Sequence, residues 1–355
     1  MIGDRLKRAR QAAGLSLRDL ESAIQNKVSA QAIGKYERNE MMPGSSALLA
    51  LSEALRVSPA YLLSMQDIQL TGIDFRKAPH ASSKEEQAVE AVILEQIERY
   101  LELEDLVPGA AIAWMAPNNR KFTIHGIEDA EEAADTLRQI WNLGYGPIQN
   151  LAGLLENKGI KVISLKLPEI VSGSKAIALR NRMPDIPVIV VNNVHNGERQ
   201  RFTLAHELAH LVLEFIGLSE NDQEKAADRF AGAFLMAKEL VLELLGKGRS
   251  MISLAEFTEV KKVLRVSIAG LVVRCSQLGV ITRSTYQALW DQIKVLGWNG
   301  PHSTEPHPLP PESPERMYRL AIRAVADGVV SVSKAAEILG IDVKALNHRL
   351  VPGGT

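Results

Sequence analysis

The chain has 355 residues, 46% hydrophobic and 23% charged, a composition that suits a globular protein of two or three domains. A formal net charge of -1 excludes a protein that is basic throughout, so any nucleic-acid contact has to come from a local patch. The single cysteine, Cys275, excludes an internal disulfide, and with no run of about 18 apolar residues and no apolar stretch behind the first basic residues, a cytoplasmic protein without a membrane partner is expected.

Charge is segregated along the chain. Residues 1–65 carry nine Lys or Arg against six Asp or Glu, whereas residues 66–115 carry four against ten. Five short helices are predicted within residues 3–63. Ser16 caps the second, with Asp19 three residues on as its capping-box partner, and Leu17, Leu20 and Ile24 give the apolar spacing. The third starts near Ser29 and turns Ile33 and Tyr36 inward; MMPG stops it, and helices over Ala47–Leu55 and behind Pro59 follow. Two helices joined by a tight turn, with positive charge nearby, are what a helix-turn-helix needs to enter a major groove.

The stretches GLSLRDLESAI, VSAQAIGKYERNEMMP and LLALSEALRVSPAYLL resemble the Cro/cI-type (XRE) DNA-binding domain over nearly all of residues 1–65. The resemblance implies a double-stranded DNA operator as partner and a recognition helix over Ser29–Glu37. It implies DNA-binding roles for Ser29, Ala30, Gln31, Lys35 and Arg38, with Ala30, Gln31 and Lys35 facing the groove. Relatives often carry Gln where Ala30 stands; Ala can touch a thymine methyl but cannot make a bidentate contact to adenine. Gly34 weakens this helix by about 1 kcal/mol relative to Ala.

Residues 66–83 read as a linker. Beyond it, Glu85–Glu104 is a helical run with Val89, Val92, Ile93, Ile97 and Leu101 at helix spacing and its acids on a solvated face. Helices are predicted for IEDAEEAADTLRQIWNL and for PIQNLAGLLENKG, which ends at Gly159, and a strand for IKVISL. A hairpin in IALRNRMPDIPVIVVNN follows, its second strand, Val188–Asn192, leading to RFTLAHELAHL. A small sheet with an edge strand beside that helix could take up an extended peptide.

His206, Glu207 and His210 form HExxH, which on a helix puts two imidazoles on one face with a carboxylate beside them. Fourteen residues on comes Glu224, four before Asp228 in a second helical pattern. A catalytic Zn2+ needs three protein ligands and an open fourth position, and His206, His210 and Glu224 supply that count. Glu207 is then free to act as general base, and Asp228 to fix a histidine tautomer by accepting a hydrogen bond from its non-ligating nitrogen.

PVIVVN, RQRFTLAHELAHLVL and EKAADRFAGAFLM resemble the ImmA/IrrE metallopeptidase family, whose members join a helix-turn-helix domain to a gluzincin-like HExxH site and cleave transcriptional repressors. The likeness covers roughly residues 85–300 and agrees with zinc on His206, His210 and Glu224 and with Glu207 as base. It implies a zinc metallo-endopeptidase with a repressor as protein substrate. His195 and Tyr286 are candidates for the oxyanion donor.

Residues 251–300 read as a helix-turn-helix-like extension of the peptidase domain. Six prolines between Pro301 and Pro314 mark 301–315 as a stiff linker, and 316–355 as a three-helix tail capped by Ser333 and Asp342, with Lys344, His348 and Arg349 on its last helix and a protein contact favoured for it. The expected fold is α+β and mostly helical. It comprises an all-α helix-turn-helix domain (1–65), a linker (66–83), a zincin-like α+β peptidase domain with a small sheet (84–250), the extension, the Pro-rich linker and the helical tail. The expected function is a DNA-binding regulator whose zinc-dependent endopeptidase cleaves a repressor or regulatory protein. Two other readings stay open: a transcription factor whose zinc site is structural or inactive, and an antitoxin that binds its own promoter and a toxin. A homodimer partner is open as well.

Overall fold

The computed structural model describes residues 2–55, 57, 59–63, 68–72, 83–117, 120–168, 171–180, 185–300 and 303–350. In chain order the elements are α1 (Ile2–Ala12), α2 (Leu17–Ala23), α3 (Ala30–Glu37), α4 (Ser45–Leu55), α5 (Pro59–Leu63), β1 (Ile68–Thr71) and α6 (Ser83–Leu106). There follow β2 (Phe122–Ile124), α7 (Asp129–Ile140), α8 (Leu151–Asn157), β3 (Lys161–Leu165), β4 (Gly173–Arg180), β5 (Ile186–Asn192), α9 (Gly197–Val212), β6 (Leu213–Phe215) and α10 (Glu220–Leu235). The chain continues with α11 (Lys238–Leu245), α12 (Leu254–Leu264), α13 (Ile268–Gln277), α14 (Arg283–Val295), α15 (Arg316–Ala326), α16 (Val332–Leu339) and α17 (Val343–Leu350). The α+β, mostly helical class holds. None of the described helices is long and apolar enough to cross a membrane.

Two compact units divide the chain: Met1–Ile112 with Ile177–Ile186 and Glu315–Thr355, and Ala113–Ala176 with Pro187–Pro314. In the first, α1–α5 close over Leu6, Leu20, Ile33, Leu51 and Leu62, all fully buried. Ser16 and Asp19 make the reciprocal capping box, and Ser29 caps α3 by accepting from Ala32 N at 3.3 Å. Arg10 fixes the end of α3 to α1 by donating to both carboxylate oxygens of Glu37, at 2.6 and 2.8 Å.

In this unit α6 is a platform, not a solvated surface helix. Its Glu98 is buried and accepts from Arg5 of α1 at 2.9 and 3.0 Å. Farther along, Tyr100, Leu103 and Val107 pack with Leu320, Ala324, Ala335 and Leu346 of the C-terminal helices. Arg316 there is buried against Glu104, the Tyr100 hydroxyl and the Ala110 carbonyl. Burial without a paired cation would be costly for Glu98 and Glu104, and each has one. The expected boundary at residue 84 is therefore corrected: α6 belongs with α1–α5 and α15–α17. Of the expected linker, 66–67 and 73–82 lie outside the described residues, while Ile68–Thr71 form β1, antiparallel to Ile177–Arg180. The cap of α16 is Ser331, which accepts from Lys334 N, and not Ser333.

In the second unit β3 pairs in parallel with β5, and β5 has β4 on its other side. The strand leading to the HExxH helix is thus interior and buried, not an edge. A separate two-stranded parallel ladder, β2 with β6, follows directly from the end of α9. The Pro-rich run is not a free linker either. Glu305 and Glu312 are buried, their carboxylates accepting from Ile268 N at 2.7 Å and Ala152 N at 2.9 Å.

Two glycines of the first unit differ in what a methyl group would meet. At Gly3 it would run into the backbone carbonyls of Tyr36 and Glu37, whereas at Gly34 it would meet only the movable Arg38 guanidinium at 3.3 Å and Leu17 at 3.7 Å. Gly34→Ala is expected to raise stability by up to about 1 kcal/mol and Gly3→Ala to lower it, as read from urea melts of the two variants. Destabilisation by Gly34→Ala would show that the helix is not limited by glycine entropy.

Candidate metal centre and nucleic-acid surface

Asn196 starts α9 by accepting from Arg199 N at 2.9 Å, and Ser219 starts α10 by accepting from Asp222 N at 3.2 Å. The i, i+4 spacing then does the rest: His206 and His210 share one face of α9, Glu224 and Asp228 one face of α10, and these faces meet. His206 Nε2 and His210 Nε2 are 3.2 Å apart, and each lies 3.3 Å from an oxygen of Glu224. The two nitrogens face different oxygens of the one carboxylate, Oε2 for His206 and Oε1 for His210, so all three residues converge on a space that suits the roughly 2.0–2.2 Å bonds of zinc to nitrogen and oxygen. Among the described residues, His206, His210 and Glu224 are the group able to hold a metal ion.

Asp228 completes the arrangement from the other side of the ring. Its carboxylate is 2.8 Å from His206 Nδ1, so an Nδ1–H donated to it leaves Nε2 with a lone pair aimed at Glu224 and His210. Burial opposes a charge on His206, but the hydrogen bonds to Asp228 and Glu224 outweigh it and push the imidazole pKa up to about 9. The centre is therefore poised for positive charge, as a proton or as a divalent cation. Glu207 is buried beside His206, and its negative charge adds to that shift. Phe215 of β6 meets the His210 ring edge-on at 5.8 Å, and Lys175 of β4 donates to the His210 carbonyl at 3.4 Å. His195 is buried at the turn before α9, where its carbonyl accepts from Gln200, and Tyr286 stacks on Trp290 in α14.

Both helices are held by buried or half-buried ions that their local sequence does not announce. Arg229, next to Asp228, donates to Glu131 of α7 at 2.6 Å, and Arg274 of α13 pairs with the same carboxylate at 2.7 Å while donating to the Met236 carbonyl. Those two guanidiniums hold the Glu131 carboxyl below its ordinary range against the opposing effect of burial. On α9, Arg201 is 1% exposed and bonds to Glu312 and to the carbonyls of Ile148 and Arg265.

In the first unit, Ser29, Gln31, Lys35 and Arg38 are exposed and Ala30 is half-buried, so the residues expected at DNA share the outward side of α3. Ser29 is occupied as a cap, and Arg38 is paired with Glu40 at 2.7 and 3.0 Å. Among the described residues, Gln31 and Lys35 are the exposed side chains of α3 with neither a cap bond nor an ion pair.

Residues 6–62 match the family model described as helix-turn-helix, and residues 155–276 match that of a peptidase family described as IrrE N-terminal-like domain. No curated protein matches the chain.

A His206 pKa of about 9 in the folded state lies above the ordinary histidine value of about 6.5, so its contribution to stability is full below that lower value and is lost as pH rises through 9. The metal-free protein should accordingly lose up to ~3 kcal/mol of stability between about pH 6.5 and 9. Asp228→Asn should flatten that slope and bring the His206 titration, followed by NMR, back towards the ordinary value. A His206 titration unmoved by Asp228→Asn would show that Glu224 alone sets it.

Proposed function

We propose that this chain, which joins a helix-turn-helix domain to an IrrE N-terminal-like peptidase domain, is a cytoplasmic regulator that binds an operator and cleaves a repressor or other regulatory protein as a zinc-dependent endopeptidase. The observation that carries this reading is the convergence of His206, His210 and Glu224, whose Nε2 atoms lie 3.2 Å apart and each 3.3 Å from one of the two Glu224 carboxylate oxygens, backed by Asp228. These three residues would hold Zn2+. The ion, when bound, supplies a Lewis acid that polarises the scissile carbonyl and makes water acidic enough to attack near neutral pH.

The chain's own groups have separate tasks. Asp228 keeps the proton of His206 on Nδ1 and so keeps Nε2 free. Glu207, one residue from the first ligand and buried, takes a proton from the attacking water and returns it to the leaving amine. On the operator, Gln31 and Lys35 reach from the exposed side of α3, with Ala30 against a base methyl and Ser29 and Arg38 at the backbone.

Two measurements test the two halves. Purified wild type should carry about one zinc per chain, His206→Ala should lose it, and Glu207→Gln should keep it. Comparison of cellular proteins after expression of wild type and Glu207→Gln should reveal a regulatory protein shortened only by wild type. Identical protein patterns together with intact operator binding would favour the transcription-factor or antitoxin reading. Lys35→Ala should weaken operator binding on all sequences and reduce its salt dependence by about one counterion, while Gln31→Ala should relax sequence preference. Unchanged binding in both would move the DNA surface away from α3.

A further inference from the structure

The segment 303–314 lies outside the stretch that matches the peptidase family, yet its side chains enter the interior of the second unit. Glu312 is 8% exposed. One of its carboxylate oxygens is bonded to Arg201 and the other accepts from Ala152 N, while its own N–H donates to Gln200 Oε1 at 3.0 Å. Glu305 is 5% exposed and is bonded to Ile268 N and, at 3.4 Å, to Lys261. Lys261 is fully buried and donates at 2.6 Å to Glu198, whose same oxygen accepts from Leu309 N at 2.8 Å. The backbone of Leu309 and Pro310 presses so closely on Gly197 that a Cβ there would have no room.

The bonds to Glu198, Gln200 and Arg201 and the close approach to Gly197 all fall on the first turn and a half of α9. Glu198, Gln200 and Arg201 are its anchored residues, and His206 follows Arg201 by five positions on the same rigid helix. The tolerance at the other end is narrow, since metal–ligand distances must hold within about 0.2 Å. A slide or rotation of α9 relative to α10 would move both Nε2 atoms away from Glu224. Glu312 supplies the counter-charge of Arg201, which would pull towards water without it, and Glu305 shares Lys261 with Glu198, so its charge bears on the pair that holds the start of α9.

We propose that residues 303–314 form a strap of the peptidase-like unit and that Glu305 and Glu312 are positioning residues that set α9 for metal binding. Neither carboxylate touches the His206, His210 and Glu224 cluster; both act through Arg201 and Lys261. The proposal rests on the reading of His206, His210 and Glu224 as metal ligands, and its test contains one measurement that needs no metal.

Glu312→Gln and Glu305→Gln are to be made in the full chain in parallel, so that misfolding of one leaves the other, with Glu312→Asp as the conservative control. In folded, metal-free protein, amide hydrogen exchange over residues 198–210 should speed up at least tenfold in the Gln variants while α14 stays at its wild-type rate. Zinc affinity, measured against a competing chelator, should fall about 10- to 100-fold, the range found when groups supporting a metal ligand are removed. The visible spectrum of the Co2+-loaded protein should change, and Glu312→Asp should recover part of each loss. A role confined to stability would lower the melting temperature but leave the Co2+ spectrum and zinc affinity of the folded variants at wild-type values, and that result would overturn the proposal. Absence of zinc binding by wild type would sink the metal reading instead, and the exchange rates of α9 alone would then decide whether the strap holds the helix.

Discussion

A charge removed from water has to meet its counter-charge where it is buried, and α9 imposes that requirement on the whole second unit. Thirteen of its sixteen residues are buried, but a helix enclosed on all sides is ordinarily apolar all round, and this one carries Glu198, Arg201, His206 and Glu207 inside. The neighbouring α8 and α12 are shaped by the answer. The start of α8 shares Glu312 with Arg201, the end of α12 offers the Arg265 carbonyl, and Lys261 of α12 neutralises Glu198. Arg265 accepts a left-handed backbone, φ 57°, at the place where its carbonyl turns to Arg201.

The facing helix is secured by a different device with the same logic. α10 buries Phe230 and Phe234, stacked at 5.7 Å, and stays partly open to solvent where Glu224 and Asp228 lie. Its alignment comes from Arg229 and Arg274 converging on Glu131, and from Arg138 donating to the Phe234 carbonyl and to Gly144. An apolar seam alone permits sliding, whereas fixed forks of guanidinium donors define one register. The candidate centre is therefore wet on one side and rigid beneath.

What could be read from the sequence was what acts over three or four residues. The Ser16–Asp19 box, the Ser29 cap and the histidine pair on α9 are of that kind, because helix geometry alone converts spacing into proximity. Glu224 and Asp228 are linked to α9 by the ligand count that a catalytic zinc needs, with which the family resemblance agrees, and in the structure they lie against His206. Arg201–Glu312 spans 111 positions and Lys261–Glu198 spans 63, distances over which spacing carries no signal. β1, β2 and β6 have three or four residues each, too few for an alternating pattern to stand out. The Pro-rich run looked like a spacer because proline composition reports stiffness, which a strap needs as much as a linker does.

The placement of α6 also has a consequence in time. Its Tyr100 and Leu103 are covered by helices that begin at Arg316, some two hundred residues later. At a synthesis rate of about 5–20 residues per second, the interval between residue 112 and residue 315 is roughly 10–40 s. The first five helices have a core of their own and can close early, but the platform beneath them stays half-naked on the ribosome until α15–α17 have been made. Completion of the first unit is thus a late event, and a nascent chain broken off before α15 carries an adhesive apolar face that the finished protein has hidden.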